Sequence, residues 1–198
     1  MTKSKTMLAI LGSPRTNGNM AAMLHHAMNQ AEAQGYAVQF IDLYEQKIAP
    51  CRGCMRCKQT GVCVIQDDVQ AMRQALLECD LLVMACPTYF ANVTAPVKNL
   101  FDRLVATVMD DNDSMIPKPK LSKRQKYILM TACSTPFPFD RLAHQSTGCL
   151  HAMDEFFHIS GMTRAGTVVF AGTKGKQGVP EKVFRKIDRL MQRTCSGA

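Results

Sequence analysis

Four of the nine cysteines in this 198-residue chain are concentrated in one short stretch. Cys51, Cys54, Cys57 and Cys63 are separated by two, two and five residues. Thiolates in one short loop can converge on a metal centre, and both zinc and iron–sulfur clusters use four cysteine ligands. Zinc sites more often combine two separated Cys-x2-Cys motifs, so three successive short intervals favour a [4Fe-4S] cluster over zinc. A compact loop of reduced thiols without metal is the remaining interpretation.

The surroundings of these cysteines, residues Ile48–Asp68, are here called the cysteine segment. Its basic side chains could offset the negative charge of a cluster, and Gly53 and Gly61 give the backbone room to fold around it. The total of nine cysteines is odd, which argues against a complete disulfide framework. The basic residues are Arg52, Arg56 and Lys58, and the cysteines expected to be small buried side chains are Cys79, Cys86, Cys133, Cys149 and Cys195.

A second stretch with chemical potential follows the short apolar run Met7–Leu11. Gly12 ends the run, and a small polar loop leads into a helical pattern after Gly18 and Asn19. We name residues Gly12–Asn19 the phosphate loop, because the free N–H groups and partial positive charge of a helix N-terminus suit an anion. Short donors and one planar cation line the loop: Ser13, Thr16, Asn17, Asn19 and Arg15.

The phosphate loop lacks the patterns of two common phosphate sites. Gly18 is followed by Asn19 rather than by the lysine of a P-loop, and Gly12 has no glycine two residues further on, as the dinucleotide pattern requires. A loop rich in hydroxyl and amide groups, with few glycines, suits a monophosphate better than a pyrophosphate. An ordinary capped strand-to-helix turn is the alternative interpretation.

Strand-like and helical patterns alternate five times along the chain. This order predicts a three-layer, doubly wound α/β fold, and the common topology for five parallel strands is the flavodoxin-like order 2-1-3-4-5. We predict one domain over residues 1–198, with the cysteine segment as a loop insertion at 48–68. The predicted strands are Met7–Leu11, Ala37–Leu43, Asp80–Cys86, Lys126–Ala132 and Thr167–Ala171. The predicted helices are Met20–Gln34, Val69–Cys79, one with Thr94 as N-cap, Arg141–Ile159 with a bend at Gly148, and Pro180–Thr194, and the polar residues Asp110–Arg124 are predicted to form a long surface excursion.

Three loops of such a fold meet at the carboxyl edge of the sheet, where α/β proteins bind ligands. They are the phosphate loop, residues Pro87–Asn92, here called the ring loop, and residues Cys133–Phe139, here called the third loop. The small, aromatic and amide residues of the ring loop suit the polar edge and the faces of a flat heterocycle. Core packing is the alternative for Tyr89 and Phe90.

Two motifs resemble the cofactor-binding signatures of a known family. GSPRTNGN at Gly12–Asn19 and PTYFANVTAPVKNLFDR at Pro87–Arg103 are similar to the two FMN-binding signatures of the NAD(P)H-dependent FMN reductases. The cysteine pattern, which ends in Val64–Asp68, is similar to that of the iron–sulfur flavoproteins within this flavodoxin-like group. The resemblance covers the first half of the chain and extends to the second half only by pattern.

The resemblance implies that FMN binds with its phosphate in the phosphate loop and its isoalloxazine against the ring loop. Met20 stands where the family usually has a hydroxyl residue, and Ala91 stands where it usually has a glycine. The third loop matches no family pattern, so Cys133 and Ser134 are assigned to the site on position alone. The implied FMN-binding residues are Ser13, Arg15, Asn17, Gly18, Asn19, Pro87, Thr88, Tyr89, Phe90, Ala91 and Asn92, and the candidate [4Fe-4S] ligands are Cys51, Cys54, Cys57 and Cys63.

The family further implies an oxidoreductase in which the flavin carries the chemistry and no side chain needs to act as acid or base. NAD(P)H is the expected electron donor, and a small-molecule or protein acceptor takes the electrons, directly or through the cluster. Because family members form dimers or tetramers, we expect a homodimer or homotetramer. The alternative is a non-catalytic flavin and iron–sulfur electron carrier that partners ferredoxin, although flavodoxins are acidic and this chain is basic.

Charge and composition narrow the class of partner. The net charge of +8 favours anionic ligands, but the densest basic group lacks the interleaved aromatic residues of a single-strand binder, so nucleic acid is not expected. We see no apolar run of membrane-spanning length and no secretory segment, which predicts a cytoplasmic protein without a membrane partner. His144, His151 and His158 recur every seven residues, a spacing too wide for ligands of one metal ion on a helix.

Overall fold

A computed structural model describes residues 4–110, 117–176 and 178–196 of the chain. The strands in these ranges are β1 (Thr6–Leu11), β2 (Ala37–Asp42), β3 (Leu81–Pro87), β4 (Met109–Asp110), β5 (Lys118–Pro119), β6 (Lys126–Cys133) and β7 (Thr163–Ala171). The helices are α1 (Asn19–Glu32), α2 (Arg56–Thr60), α3 (Val69–Glu78), α4 (Ala95–Val108), α5 (Phe139–Leu142), α6 (Gln145–Ile159) and α7 (Glu181–Ser196). No helix within the described ranges has the length and apolar character needed to span a bilayer.

Five strands form one parallel sheet in the order β2-β1-β3-β6-β7. In the numbering of the five predicted strands this order is 2-1-3-4-5, so the flavodoxin-like topology predicted from the sequence is confirmed. The order follows from physical constraints, because each strand–helix–strand unit makes a right-handed crossover and the chain reverses its winding direction once, at β1 and β3.

The central strand β3 is buried because each of its faces meets a helical layer. Leu82 and Met84 pack in a core with residues of α3, α4 and α6. Leu81 and Val83 pack in a second core with residues of α1 and α7. A strand covered on both faces has a nearly continuous apolar sequence, which is why this strand was predictable within one residue at each end.

The register of the strands brings three loops to one edge. Leu11 at the end of β1 lies beside Ala85 in β3, and Pro87 at the end of β3 lies beside Ala132 in β6. The phosphate, ring and third loops leave the sheet at these carboxyl ends, where the sheet also changes its winding direction. The fold therefore places the predicted site at the switch point.

The helix predicted over Arg141–Ile159 is in fact two helices, α5 and α6. The break lies at His144, which has a left-handed backbone (φ 53°), and not at Gly148, which is inside α6. A non-glycine residue rarely adopts this conformation, so the sequence carried no glycine signal for the break. The predicted bend at Gly148 is therefore wrong.

Other elements differ from prediction where local patterns were weak. Strand β7 begins four residues earlier than predicted, at Thr163, and pairs with β6 through an irregularity at Tyr127 and Ile128. The short helix α2 inside the cysteine segment was not predicted. In the excursion predicted over Asp110–Arg124, β5 pairs with β4 in a small antiparallel ribbon, and residues 111–116 lie outside the described ranges.

Candidate functional site

The phosphate loop begins where β1 touches the neighbouring strand and helix. The amide of Gly12 donates to the carbonyl oxygen of Ala85 at 2.8 Å. A Cβ at Gly12 would lie 2.4 Å from Cγ2 of Val97, so a larger residue would force the side chain of Val97 to move. Ser13 is buried, and its hydroxyl accepts a hydrogen bond from the amide of Arg15 at 3.2 Å. The close approach of Val97 favours glycine at position 12, and the hydrogen bonds fix the start of the loop.

The end of the phosphate loop presents the N-terminus of α1. Gly18 occupies the N-cap position in extended conformation, and no side chain caps the helix or places a carboxylate in its first turn. The first backbone N–H groups of a helix have no intrahelical acceptor and carry the positive end of its dipole. Arg15 and Asn17 are exposed beside this end. The donor set therefore fits a phosphate group.

Met20 occupies the position at which the family usually has a hydroxyl residue in the phosphate site. Its side chain is buried among the residues that pack between α1 and the sheet. Position 20 can therefore offer a phosphate its backbone N–H only. The side-chain contacts must come from Ser13, Arg15, Asn17 and Asn19, which remain predicted ligands.

The ring loop is a two-residue hairpin. Tyr89 and Asn92 exchange backbone hydrogen bonds of 3.0 Å, and the two residues between them, Phe90 and Ala91, have positive φ angles of 49° and 59°. This is the backbone pattern of a type I′ turn, which is strained for any residue with a side chain. Phe90 is fully exposed and Tyr89 is 48% exposed, so the alternative of core packing for this pair is wrong.

Three contacts hold the ring loop on the sheet edge. The amide of Thr88 donates to the carbonyl of Ala132, and its hydroxyl lies 3.0 Å from that of Thr131 on β6. Thr94, buried at the start of α4, donates its hydroxyl proton to the carbonyl oxygen of Gly12 at 2.8 Å. This last bond joins the phosphate loop to the start of α4, two residues after the ring loop, and was missed from sequence, where Thr94 was assigned only as an N-cap.

Gly148 is a further residue that sequence reasoning missed. A Cβ on this residue would lie 2.1 Å from the carbonyl oxygen of Ala91, so the first turns of α6 pack directly against the hairpin. The sequence feature that could have predicted this contact is a glycine inside an otherwise helical pattern, because such a glycine often marks the close approach of another backbone. It was interpreted as a bend, because the partner backbone lies about sixty residues away in sequence.

The third loop is tied to the end of β7. The amides of Gly172 and Thr173 donate to the carbonyls of Thr135 and Cys133. Cys133 is buried, its thiol donates to the carbonyl of Thr135 at 3.4 Å, and burial raises its pKa. Ser134 is exposed at the edge. Of the two residues assigned to the site by position, Ser134 is therefore the more accessible to a ligand.

The five cysteines outside the cysteine segment are all buried, as predicted. Two of them, Cys86 and Cys149, lie behind the ring loop. The hydroxyl of Thr131 donates to the sulfur of Cys149 at 3.4 Å, and burial raises the pKa of Cys86 well above its ordinary value. These thiols support the loop from below as small apolar side chains.

The cysteine segment brings its four thiols into one neighbourhood. Gly53 and Gly61 both have positive φ angles, as expected of residues that let the backbone turn. The pKa of Cys57 is raised by burial and by the nearby thiols of Cys63, Cys51 and Cys54. Over the ranges that the structure describes, no three Cys, His, Asp or Glu side chains form the ligand set of a single metal ion.

Four free cysteine thiols in one segment have the donor chemistry of a cluster site. Each cysteine of a [4Fe-4S] centre binds a different iron, so its ligands stand farther apart than those around one ion. The four thiols of the cysteine segment are free, and Cys51 and Cys54 are exposed. The residues present fit the group, and its presence stays a prediction.

A buried arginine on α4 holds the base of the cysteine segment. Its guanidinium forms a bidentate ion pair with Asp67 at 2.7 and 2.9 Å, and it also donates to the carbonyls of Ala49 and Ile65. This residue is Arg103, and its side chain has no solvent exposure. Burial opposes ionisation of Asp67, but hydrogen bonds from Arg103 and from backbone amides hold its pKa below the ordinary value.

An open cavity of about 690 Å³ separates the cysteine segment from α6. Its walls are mainly apolar side chains of α4 and α6, including Phe101 and Phe156, whose rings stack at 4.2 Å. Asn92 of the ring loop lies at its margin, as do Cys51 and Gly53. The cavity therefore borders both candidate redox sites.

The topology of the parallel sheet, with its switch point at β1 and β3, defines a flavodoxin-like α/β protein. The family described as NADPH-dependent FMN reductase matches residues 6–177. The chain belongs to that family.

Individual relatives carry names from two groups. An iron–sulfur flavoprotein of Archaeoglobus fulgidus is 38% identical over 98 residues, which are 50% of this chain and 44% of that protein. The putative NAD(P)H-dependent FMN-containing oxidoreductase YwqN of Bacillus subtilis is 25% identical over 165 residues, covering 83% and 84% of the two chains. This chain spans about half the length of several iron–sulfur flavoproteins that it matches.

A solved structure supports the fold independently of sequence. An FMN-dependent NADH-azoreductase from Bacillus anthracis, in complex with FMN, superposes with a TM-score of 0.74 over 98% of each chain at 12% identity. At this level of identity the likeness concerns the fold alone.

Proposed function

We propose that the protein is an FMN-dependent oxidoreductase that takes electrons from NAD(P)H and passes them to an acceptor. The observation that carries the proposal is the hydrogen bond from Thr94 to Gly12, which ties the phosphate loop to the residue that leads from the ring loop into α4, at the switch point. Membership of the FMN reductase family and the name of the Bacillus subtilis relative support the donor and the cofactor.

Each loop has a defined task in this proposal. The N-terminus of α1, with Ser13, Arg15, Asn17, Gly18 and Asn19, holds the FMN phosphate. The hairpin Pro87–Asn92 orients the isoalloxazine, with exposed Tyr89 and Phe90 available to its faces. Bound FMN supplies hydride acceptance from a nicotinamide and one- or two-electron delivery to an acceptor. The protein itself needs no acid or base and contributes position and electrostatics.

The proposal includes a [4Fe-4S] cluster bound by Cys51, Cys54, Cys57 and Cys63. The four free thiols of one short segment and the name of the Archaeoglobus relative support it. A cluster limited to one-electron steps would let the protein deliver single electrons to a protein acceptor. We further propose a cytoplasmic homodimer or homotetramer with no nucleic-acid or membrane partner.

The proposal is tested by loading the purified protein with FMN and recording its anaerobic absorption spectrum. We expect stoichiometric FMN, bleaching of its bands by NADH or NADPH, and iron and sulfide near four per chain after reconstitution. Arg15→Ala should weaken FMN binding, whereas Arg185→Ala on the exposed face of α7 should not.

The outcomes separate the alternatives. Protein that takes up no FMN would contradict the central proposal. FMN that is reduced by ferredoxin but by neither nicotinamide would establish the non-catalytic carrier. FMN without iron, even after anaerobic reconstitution, would leave an FMN reductase and reduce the cysteine segment to a structural role.

A further inference from the structure

Arg103 directs every nitrogen of its guanidinium at the cysteine segment. Nη1 and Nη2 bind the stem of the segment, which we define as Ala49, Ile65 and Asp67. The remaining nitrogen, Nε, donates to the sulfur of Cys63 at 3.3 Å. The residue therefore joins both ends of the segment and also contacts one of the four candidate ligands.

Holding the stem in place does not require the hydrogen bond from Nε of Arg103 to the sulfur of Cys63. Asp67 already neutralises the guanidinium, and replacing a buried ion pair by apolar residues is often neutral or stabilising for a fold. A neutral thiol is a weak acceptor, whereas a thiolate sulfur bound to metal is a strong one. The direction of the Nε–H group is thus best matched to Cys63 in its ligand form.

A cation and an N–H donor at a ligand sulfur have a defined electronic effect. Reduction adds one negative charge to an iron–sulfur cluster, and hydrogen bonds to its sulfurs stabilise the more negative state. Screening by water is weak here because the Arg103 side chain is fully buried. The arginine should therefore make the cluster easier to reduce.

We propose that Arg103 is a positioning residue for the cluster, which fixes the stem of the cysteine segment and raises the reduction potential of the cluster through the Nε–H···Sγ bond to Cys63. This inference rests on the cluster of the proposed function. Helix α4 then has two roles. Thr94 at its N-terminus supports the loops at the sheet edge, and Arg103 supports the cysteine segment.

The test uses full-length protein with FMN and reconstituted cluster, and it compares wild type with Arg103→Lys and Arg103→Gln. Potentiometric titration followed by electron paramagnetic resonance should show a lower potential in both variants. We expect about a tenfold change in the reduction equilibrium for lysine, ~59 mV for a one-electron couple. The shift should be larger for glutamine, which also removes the charge.

Two controls separate this effect from loss of structure. Arg56→Gln removes an exposed cation next to Cys57 and should shift the potential much less, because water screens its charge. Asp67→Asn weakens the same ion pair but keeps the Nε donor and removes a negative charge. It should raise the potential, opposite in sign to the Arg103 variants.

The possible results distinguish failure of the proposed cluster from failure of the role inferred for Arg103. A wild-type protein that binds no iron removes the cluster from the proposed function, whatever the Arg103 variants do. An iron-loaded Arg103→Lys protein with an unchanged potential overturns this inference alone. If neither Arg103 variant folds, wild-type protein labelled with 15N-arginine carries the test: hyperfine coupling between the reduced cluster and an arginine nitrogen supports the inference, and its absence contradicts it.

Discussion

Ala91 occupies a conformation for which its side chain is poorly suited. It is the second central residue of the ring-loop turn, where positive φ favours glycine. A left-handed residue with a Cβ costs roughly 1–2 kcal/mol. The strain is held by the hydrogen bonds between Tyr89 and Asn92 and by the packing of α6 on the hairpin.

Replacing Ala91 with glycine should stabilise the protein. We expect Ala91→Gly to raise the free energy of unfolding by about 1 kcal/mol, because the strain outweighs the greater freedom of glycine in the unfolded chain. Urea denaturation measures the change. The matched control is Ala71→Gly on an exposed face of α3, which should lower stability by about 1 kcal/mol. Equal losses in both variants would contradict the strain at position 91.

Asp67 should make stability depend on pH in the acid range. Its folded pKa is lower than the ordinary 3.8, so ionisation contributes stability that is complete above about pH 4 to 5 and is lost as pH falls through the folded pKa. Asp67→Asn should cost about 3 kcal/mol at neutral pH, because it leaves Arg103 buried without its anion.

The pH dependence is measured by denaturation of wild type and Asp67→Asn between pH 3 and 7. Their difference in unfolding free energy should be constant at neutral pH and shrink below the ordinary pKa of a carboxyl. A difference that stays the same at acid pH would show that Asp67 gains nothing from ionisation in the fold.

At the scale of elements, the site depends on contacts between units that are distant in sequence. Helix α6 supports the hairpin through Gly148, and α4 connects the hairpin to the phosphate loop through Thr94. Both contacts set the positions of residues that are predicted to bind FMN.

Gly148→Ala should weaken FMN binding by displacing the hairpin. The new methyl group would meet the Ala91 carbonyl, and neither backbone can yield without moving the ring loop. We expect about a tenfold rise in the FMN dissociation constant, equal to about 1.4 kcal/mol, by fluorescence titration. Thr147→Ala, one residue earlier on α6, should bind FMN like wild type. Unaltered affinity in Gly148→Ala would mean that the hairpin does not carry the isoalloxazine.

Thr94→Val should uncouple the two loops. It removes the donor to Gly12 but keeps the shape of the side chain, leaving a buried carbonyl without this bond, which costs about 1–3 kcal/mol. Thermal unfolding and FMN titration should both show the loss. Thr94→Ser retains the hydroxyl and should recover most of it. If valine and serine behave alike, the hydroxyl is not the link between the loops.

At the scale of the whole molecule, the carboxyl edge exposes large apolar side chains. Phe137, Phe139 and Leu142 of the third loop and α5 are 60–71% exposed. Exposed apolar residues grouped beside a functional site are typical of an interface. This arrangement agrees with the predicted homodimer or homotetramer.

Leu142→Asp should therefore shift the protein towards the monomer. The added carboxylate would have to lose its hydration at an interface, which opposes association. Sedimentation velocity at several concentrations measures the change. Leu77→Asp, on α3 away from the carboxyl edge, is the matched control and should assemble like wild type. A monomeric wild-type protein would contradict the predicted assembly itself.

The sheet and its site edge were predictable because each rests on a local pattern. The continuous apolar run of β3 and the glycine that ends β1 can be found without knowing their neighbours. Their order then followed from the handedness of crossovers. The family match confirms the cofactor class that the loops at Gly12–Asn19 and Pro87–Asn92 indicated.

The remaining features depend on partners far away in sequence. Gly148 is needed only because Ala91 packs against it, and nothing near position 148 shows this. Arg103 is the last residue of the motif at Pro87–Arg103, but its role could not be predicted because its partners Asp67, Ile65 and Ala49 lie 36 to 54 residues earlier in the sequence. His144 breaks a helix without the residue type that usually does so.

The stem of the cysteine segment makes this segment an insertion whose two ends are held close together. Arg103 holds Ala49 and Ile65 on one side chain, so the residues between them leave the fold and return to it at nearly the same point. The length, the cysteines and the charge of such an insertion can change without moving β2, α3 or α4. We expect that the segment could be exchanged for one of different length, and that variation within this fold would accumulate there rather than at the carboxyl edge of the sheet.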